Sequence, residues 1–565
     1  MIDLKGNPFY LTQEDIAWVE ETLSKMTQDE KLRQLFCMIV FDSDEAHLLR
    51  LAKEVKPAGA MFRPFPKDEA VKIANILQEN AQIPMLLPAN LERGGNGLAN
   101  DGTQIGAPLQ VAATDDVFFA EALGKVAGRE AAAVGGNWSF APIIDIDYNW
   151  RNPITNVRTF GSDPKRVREM GVAYVKAIQK EGVAASIKHF PGDGCDERDQ
   201  HLVTSINDLS CEDWDNTFGE AYKACIKAGA LTVMAGHIMQ PAYSRKLRPG
   251  IKDEDIMPAT LAPELLNDLL RDKLGFNGLI VSDASTMAGF CIPMGREKAV
   301  PACVAAGCDI FLFTKNMEED IAFMQKGYEE GVITPQRLEE AVTRVLALKA
   351  ALKLHKKENK PTKEMADAVV GCKEHRELAR KCAEQSVTLV KGKGGILPLS
   401  PKTHKRVLLY PIVTGESFYG GGGEEDIGAI FKERLEKEGF KVTIFTPPQG
   451  MEGRSTKTTD ITEKYDLLLY VSNLLTKSNQ TTVRIEWAQP MGANCPNYSA
   501  VVPTVFISLA NPYHLVDVPR VPVMINTYCA LPDNITALID RLLGRAPFTG
   551  TSPVDAFCGK WDTRL

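Results

Sequence analysis

The first 355 residues alternate between short apolar runs and longer stretches in which apolar positions recur at helical spacing. The runs predict buried strands, and the longer stretches predict amphipathic helices, several of them preceded by Asp, Ser or Thr at the N-cap position. Strands that alternate with helices pair in parallel, and eight such units predict a (β/α)8, TIM-like barrel. The predicted strands are 35–41, 59–62, 85–89, 139–144, 184–187, 231–235, 279–282 and 309–313; the clearest predicted helices are 67–80, 163–182 and 261–275.

A second α/β region follows the barrel. The polar segment 356–375, with several lysines, predicts a linker between a catalytic barrel at 1–355 and a C-terminal domain at 376–565. Alternation there is sparser and predicts an αβα sandwich with an open sheet. Gly420–Gly423 lies between a strand and a helix but lacks both phosphate-loop spacings, so it predicts a plain loop. The predicted strands are 406–413, 441–447, 465–473, 504–510 and 522–528.

Composition narrows the possible partners. The formal net charge of −8 leaves no basic excess, so no nucleic-acid partner is expected. The sequence has no run of about 18 apolar residues and no basic, then apolar leader, so we expect no membrane span and a cytoplasmic location. The twelve cysteines form no C-x-x-C pair and predict free thiols in a reducing compartment. The same scatter of cysteines gives no reason to expect a metal site.

Chemically active residue types collect where the barrel strands end, which is the face that carries barrel active sites. Each of these residues also has an ordinary, non-catalytic interpretation. An Asp after a strand can cap a helix, and an Asp in a loop can hold a turn. A Lys-His pair can lie on the surface of a loop, and a histidine can be buried with its hydrogen bonds made. Convergence on one rim favours function. The candidates are Lys188, His189, Asp199 and His201 after the fifth strand, His237 after the sixth and Asp283 after the seventh.

The sequence around the fifth strand resembles a known signature. Lys188-His189-Phe190-Pro191-Gly192-x-Gly194, with Asp199-x-His201 after it, is similar to the motif of family 3 glycoside hydrolases of β-N-acetylglucosaminidase type. Further similarities to that family extend the resemblance over nearly the whole chain, at 140–146 (FAPIIDI), 152–164, 281–283 (VSD), 379–399 and 547–554.

The resemblance implies roles for three residues. Asp283 is the expected nucleophile, His201 the general acid/base, and Asp199 the carboxylate that orients and supports His201. A retaining glycosidase needs a carboxylate beneath the anomeric carbon and a proton donor beside the leaving oxygen. Since these two groups suffice, the resemblance implies no cofactor. An imidazole with a carboxylate partner can be that donor because its pKa lies near neutrality.

The resemblance also implies a sugar-binding shell of Lys188, His189 and Arg158, with Asp145 and His237 as weaker members. The family's D-x-E-G-G motif is replaced by a run from Asn90 to Gly95 that contains Glu92. By the resemblance, we expect either that Asn90 still bonds the ring hydroxyls or that Glu92 takes over that contact. Two further departures are Asp193, where the family often has His, and Ala284, where it is often acidic.

The predicted function is a retaining, exo-acting β-N-acetylhexosaminidase that releases terminal GlcNAc from glycosides or muropeptides, with a place in peptidoglycan recycling. Three alternatives stay open: a phosphorylase that transfers the sugar to phosphate, a β-glucosidase, and a non-catalytic sugar-binding protein. A histidine donor favours the phosphorylase among these, because a carboxylate donor would repel attacking phosphate, whereas the D-x-H pair disfavours the β-glucosidase.

Overall fold

The computed structural model describes residues 2–356, 360–413, 426–447, 455–487 and 489–565. The chain forms two compact units, Met1–Ile105 with Val117–Leu378, and Gly106–Asp116 with Ala379–Leu565. These units differ from the predicted domain limits in two places. The segment predicted as a linker contains the helix Lys363–Val369, which groups with the first unit, and the fully buried helix Pro108–Ala113 groups with the second.

The first unit is built on a closed sheet of eight parallel strands, which confirms the predicted barrel. Its spatial order is β2-β1-β10-β9-β7-β5-β4-β3. A parallel bridge between Gly59 and Leu86 joins the two ends, with Ala60 N donating to Leu86 O at 2.9 Å. The strands are β1 Phe36–Val40, β2 Gly59–Phe62, β3 Pro88–Ala89, β4 Trp138–Ser139, β5 Ala184–Phe190, β7 Thr232–Ala235, β9 Leu279–Ala284 and β10 Ile310–Leu312. A separate parallel pair, β6 Ser205–Ile206 and β8 Ile238–Met239, follows β5 and β7.

Helices connect the barrel strands at the predicted places. The stretch 67–80 forms the helix Lys67–Asn80, and 163–182 forms Pro164–Lys180, whose N-cap Asp163 accepts from Lys165 N. The third forms a π-helix, Glu264–Lys273. The other α-helices of this unit are Gln13–Lys25, Gln28–Arg33, Glu45–Arg50, Val117–Ala133, Cys211–Trp214, Glu220–Lys227, Pro241–Leu247, Ala288–Cys291, Arg296–Ala306, Met317–Glu329 and Pro335–Ala351; π-helical turns lie at Leu51–Val55 and Asp215–Gly219, and the helix Lys373–Ser386 runs across the boundary between the units.

Strand β5 places charge inside the barrel. All seven of its residues are buried, including Lys188 and His189 at its carboxyl end. Charged groups are rarely buried without partners, because removing them from water costs several kcal/mol. Their partners therefore identify the site.

The second unit contains a six-stranded sheet in the order β11-β16-β15-β14-β12-β13. The five predicted strands are present and parallel, whereas the antiparallel edge strand β11 was not predicted. The helices Ile427–Lys437 and Pro532–Leu542 cover one face, and the short helix Thr458–Thr462 with irregular segments covers the other. Gly420–Gly423 lies outside the described residues. The strands are β11 Thr388–Gly392, β12 Arg406–Val413, β13 Lys441–Ile444, β14 Leu467–Asn473, β15 Thr504–Ser508 and β16 Val523–Asn526.

Two composition-based expectations concern the whole chain. All twelve cysteines are free thiols. In the described part of the chain, no helix has the length and apolar character needed to cross a membrane.

Candidate active site

Asp283 stands at the carboxyl end of β9, facing the end of β5. Its Oδ2 lies 3.9 Å from His189 Nε2, and its side chain is 14% exposed. Its Oδ1 accepts from Ala284 N at 2.7 Å. The next helix begins at Ala288 with Met287 at its N-cap, so Asp283 does not cap it. Helix capping, the ordinary alternative for Asp283, is therefore wrong.

Three imidazoles lower the pKa of the Asp283 carboxyl. Burial by itself raises that pKa, but the neighbouring rings of His189, His237 and His201, in that order, outweigh burial together with the hydrogen bond from Ala284 N and lower the pKa below its ordinary value. An ionised carboxylate is the form that attacks as a nucleophile.

Asp199 and His201 form a hydrogen-bonded pair on the loop after β5. His201 Nδ1 donates to Asp199 Oδ1 at 2.7 Å, and His201 N donates to the same oxygen at 2.8 Å. Asp199 also holds a turn, because its carbonyl accepts from the backbone N–H groups of residues 202 and 203. The turn and the pairing are therefore compatible roles. With Nδ1 committed, Nε2 is the nitrogen left to exchange a proton, and the His201 side chain is 29% exposed.

The loop that carries His201 is seated against the segment that follows Asp283. His201 O accepts from Ala288 N at 2.9 Å, and Thr204 Oγ1 donates to Gly289 O at 3.0 Å. A Cβ at Gly289 would lie 2.4 Å from Gln200 O, so a glycine is needed for this close approach. The loop after β5 and the end of β9 thus form one packed surface.

A second Asp–His pair lies deeper. His189 Nδ1 donates to Asp145 Oδ2 at 2.7 Å, and His189 N donates to Asp145 Oδ1 at 3.0 Å. Asp193 N donates to the same Oδ1 at 2.8 Å. Asp145 is fully buried, and this arrangement directs His189 Nε2 towards Asp283.

Glu92 joins the two predicted cationic sugar ligands. Its Oε1 lies 2.8 Å from both Lys188 Nζ and Arg158 Nη2, and its Oε2 accepts from Arg158 Nε at 3.0 Å. Burial raises the pKa of Glu92, but Arg158 and then Lys188 outweigh it and hold the pKa well below the usual range. Asn90, by contrast, is exposed beyond β3. Of the two candidates for this position, Glu92 is the one that lies in the ionic cluster.

His237 uses both ring nitrogens within the protein. Its Nε2 donates to Ala284 O at 3.0 Å, and its Nδ1 accepts from Thr260 Oγ1 at 3.0 Å. Burial lowers its pKa, so the ring is neutral near pH 7. These contacts leave no ring nitrogen for a sugar hydroxyl. The bond to Ala284 O instead ties His237 to the last residue of β9, directly after Asp283.

Two residues of the site gained no role from the sequence. Gln200 received none, although it lies inside the D-x-H motif, and Asp193 was noted only as a departure from the family. Gln200 is buried and contacts both Asp193 and the backbone of His237. Burial and then the charge of Asp145 raise the pKa of Asp193 well above its ordinary value. No group of three or more His, Cys, Asp or Glu residues in the described ranges is arranged to hold a metal ion.

Comparison with known proteins defines the class first. Residues 27–348 match the description "Glycosyl hydrolase family 3 N terminal domain", and the predicted class, a glycoside hydrolase, is confirmed. The chain belongs to glycosyl hydrolase family 3.

Within that class, a relative from Cellulomonas fimi named beta-N-acetylglucosaminidase/beta-glucosidase is 52% identical over 565 residues, which is 100% of both chains. A solved structure of a beta-glucoside phosphorylase, BglX, is 43% identical with a TM-score of 0.93 and covers 99% of each chain. The family 3 beta-N-acetylglucosaminidase from Paenibacillus sp. str. FPU-7 is 24% identical with a TM-score of 0.80, covering 95% of this chain and 100% of that one, and supports the fold alone.

Proposed function

We propose that this chain is a retaining, exo-acting β-N-acetylhexosaminidase, with Asp283 as nucleophile and the Asp199–His201 pair as acid/base. The observation that carries the proposal is the meeting of two elements at the barrel mouth. The Asp283 carboxylate has a lowered pKa to which His201 contributes, and the His201 loop is hydrogen-bonded to the segment after Asp283. A retaining glycosidase needs these two functions on opposite sides of one glycosidic bond.

The reaction has two steps. Asp283 Oδ attacks the anomeric carbon while His201 Nε2–H donates its proton to the departing oxygen, which leaves as an alcohol and produces a glycosyl–Asp283 ester. The imidazole, now neutral, removes a proton from an incoming water. That water attacks the anomeric carbon, breaks the ester bond and restores the Asp283 carboxylate and the protonated His201.

The ionic cluster is the proposed binding site for the terminal sugar. Lys188 and Arg158 are held in place by Glu92, and His189 by Asp145, so their remaining donors are pre-aligned for ring hydroxyls. The name of the Cellulomonas fimi relative supports N-acetylglucosamine and glucose as the sugars removed. Glycosides with a terminal GlcNAc, muropeptides among them, are the proposed substrates.

Phosphorolysis is a second candidate. The similarity to a beta-glucoside phosphorylase over 99% of the chain favours it. The site also suits it chemically, because the imidazole of His201 becomes neutral after it has protonated the leaving group. A neutral base repels an attacking phosphate dianion far less than a carboxylate would. Phosphate would then replace water in the second step and release the sugar as its 1-phosphate.

One assay series tests the proposal. The wild-type protein is incubated with 4-nitrophenyl β-GlcNAc, β-GalNAc and β-glucoside, with and without inorganic phosphate, and the products are separated by chromatography. Free GlcNAc supports hydrolysis, and sugar 1-phosphate that forms only with phosphate supports phosphorolysis. Asp283→Asn should abolish both, and Asp283→Asn with near-wild-type turnover contradicts the nucleophile. Tight GlcNAc binding without any turnover would instead indicate a non-catalytic sugar-binding protein.

A further inference from the structure

Gln200 is the middle residue of the D-x-H motif, and its side chain points into the protein and contacts neither Asp199 nor His201 through its amide. It is fully buried, whereas His201 beside it is partly exposed. A long amide is seldom fully buried unless its polar atoms have partners. The partners of Gln200 show what the loop is attached to.

The two ends of the Gln200 amide reach two different parts of the barrel mouth. Its Oε1 accepts from His237 N at 2.9 Å, just beyond the end of β7. Its Nε2 donates to Asp193 Oδ2 at 3.5 Å, a long contact on the segment after β5. The amide therefore spans the gap between two neighbouring strands of the barrel.

Asp193 is itself a fixed acceptor. Its Oδ1 accepts from Asn152 Nδ2 at 2.8 Å and from Gly194 N at 2.7 Å, and its own N–H donates to Asp145. Because Asp145 also aligns His189, Gln200 links the D-x-H loop to the network that holds the inner imidazole. Gln200 and Asp193 thus form one connected unit.

Two glycines provide room for Gln200 because they carry no side chain. A Cβ at Gly289 would meet Gln200 O at 2.4 Å, and a Cβ at Gly236 would lie 3.2 Å from Gln200 Oε1. Both glycines follow barrel strands, β9 and β7, whose ends flank the site. The backbone and the side chain of Gln200 are therefore both held by neighbouring elements.

We propose that Gln200 is a positioning residue for the acid/base: by bridging Asp193 and the backbone of His237, it fixes the loop so that the His201 imidazole faces the Asp283 side of the site. This inference rests on the proposed function. Gln200 contacts no reacting atom; it acts through His201. Displacement of a catalytic group by about 1 Å can cost 10²-fold in rate, so a lost anchor should be measurable.

Two substrates with the same sugar provide the decisive readout. The alcohol of an alkyl glycoside is a poor leaving group and needs the proton from His201. The 2,4-dinitrophenolate of an activated glycoside is a good leaving group and departs without that proton. Gln200→Met keeps the volume and removes both hydrogen bonds. We expect it to lower kcat/KM by about 10- to 100-fold on the alkyl glycoside and by less than about 3-fold on the dinitrophenyl glycoside.

A double-mutant cycle with His201→Ala isolates the route of the effect. If Gln200 acts through the imidazole, adding Gln200→Met to His201→Ala should cost nothing more on either substrate. Leu202→Ala, an exposed change on the same loop, is the matched control and should leave both rates near wild type. Gln200→Asn keeps the amide but is too short to span both partners, so it should reproduce the selective loss if the Met variant does not fold.

The outcomes separate cleanly. Equal losses on the two substrates, additivity with His201→Ala, or no loss at all would each overturn the positioning role. Failure of the proposed function gives a different pattern, because His201→Ala itself would then show no preference for the activated substrate. Melting temperatures of all variants establish that folded proteins are being compared.

Discussion

The barrel mouth contains two Asp–His pairs with the same local geometry and different surroundings. In each pair Nδ1 lies 2.7 Å from a carboxylate oxygen. The inner pair, Asp145–His189, is almost fully buried and points at Asp283, whereas the outer pair, Asp199–His201, lies on a loop with the imidazole 29% exposed. Pairing alone therefore does not assign a role to a histidine.

Exposure and anchoring separate the two roles. A general acid must regain its proton from water in every cycle, so partial exposure suits His201. His189 is fixed by a carboxylate that also accepts two backbone N–H groups, which suits a group that holds a sugar hydroxyl and tunes a neighbouring charge. Three of the four predictions below test this division, and the fourth tests the titration of Asp193, whose N–H donates to the carboxylate of the inner pair.

The largest effect is expected at the carboxylate of the inner pair. Asp145→Asn keeps the shape but removes the negative charge and replaces one of the two acceptor oxygens by an amide donor, so either His189 Nδ1 or the two backbone N–H groups lose their acceptor. We expect kcat/KM to fall by about 10³-fold on all substrates and the free energy of unfolding by about 2–4 kcal/mol. Urea unfolding measures the second quantity. Asp199→Asn is the comparison, and a larger loss of stability there would contradict the distinction.

Leaving-group dependence should separate the two imidazoles. His201→Ala should lower kcat/KM by about 10²- to 10³-fold on an alkyl glycoside and by less than about 10-fold on a dinitrophenyl glycoside, because only the first needs a proton donor. His189→Ala should lower both by a similar factor. Steady-state kinetics on the two substrates decide this, and a selective loss in the His189 variant would reverse the assignment.

The pH profile should respond mainly to the inner imidazole. Of the three imidazoles that lower the pKa of Asp283 against burial, His189 has the largest effect. His189→Gln should therefore raise that pKa, and the acidic limb of the kcat/KM profile should move to higher pH. His201→Gln should move it less when an activated substrate is used. An unchanged or lower acidic limb in the His189 variant would count against the electrostatic coupling.

The smallest effect concerns stability and its dependence on pH. The pKa of Asp193 is raised by burial and then by Asp145, so the folded protein keeps a proton that the unfolded chain loses above about pH 4. Its contribution to stability is therefore present at low pH and is lost as the pH rises through the raised folded pKa. Asp193→Asn should remove this component and flatten the melting temperature between pH 5 and 9. A slope identical to that of the wild type would show that Asp193 is ionised throughout.

Much of the fold could be predicted because its signals are local. Apolar runs bounded by turns marked all eight barrel strands, and two predicted helices formed within two residues of their expected limits. The strand β11 was not predicted; it is the antiparallel strand at the edge of the sheet, where it pairs with β16 alone among the described strands. The stretch 261–275 was predicted as a helix from its apolar period, which did not indicate that Glu264–Lys273 would form a π-helix.

The candidate site was predicted less completely. Residue types at strand ends, together with the family resemblance, selected Asp283, Asp199 and His201, and the structure places Asp283 and the His201 loop on one surface. The inward turn of Gln200 could not be predicted, because its partner His237 is 37 residues away in the chain.

The sequence by itself determined the barrel and the kinds of chemical group at its mouth, because hydrophobic period and residue type are local properties of the chain. Only the tertiary structure decided which groups meet. Glu92 pairs with Arg158 and Lys188. His237 uses both ring nitrogens in hydrogen bonds within the protein. Gln200 can bond to the backbone of His237 only when the barrel is closed. The physical reason is that a buried charge or amide takes its function from partners that lie far away in sequence and become neighbours when the strands pair.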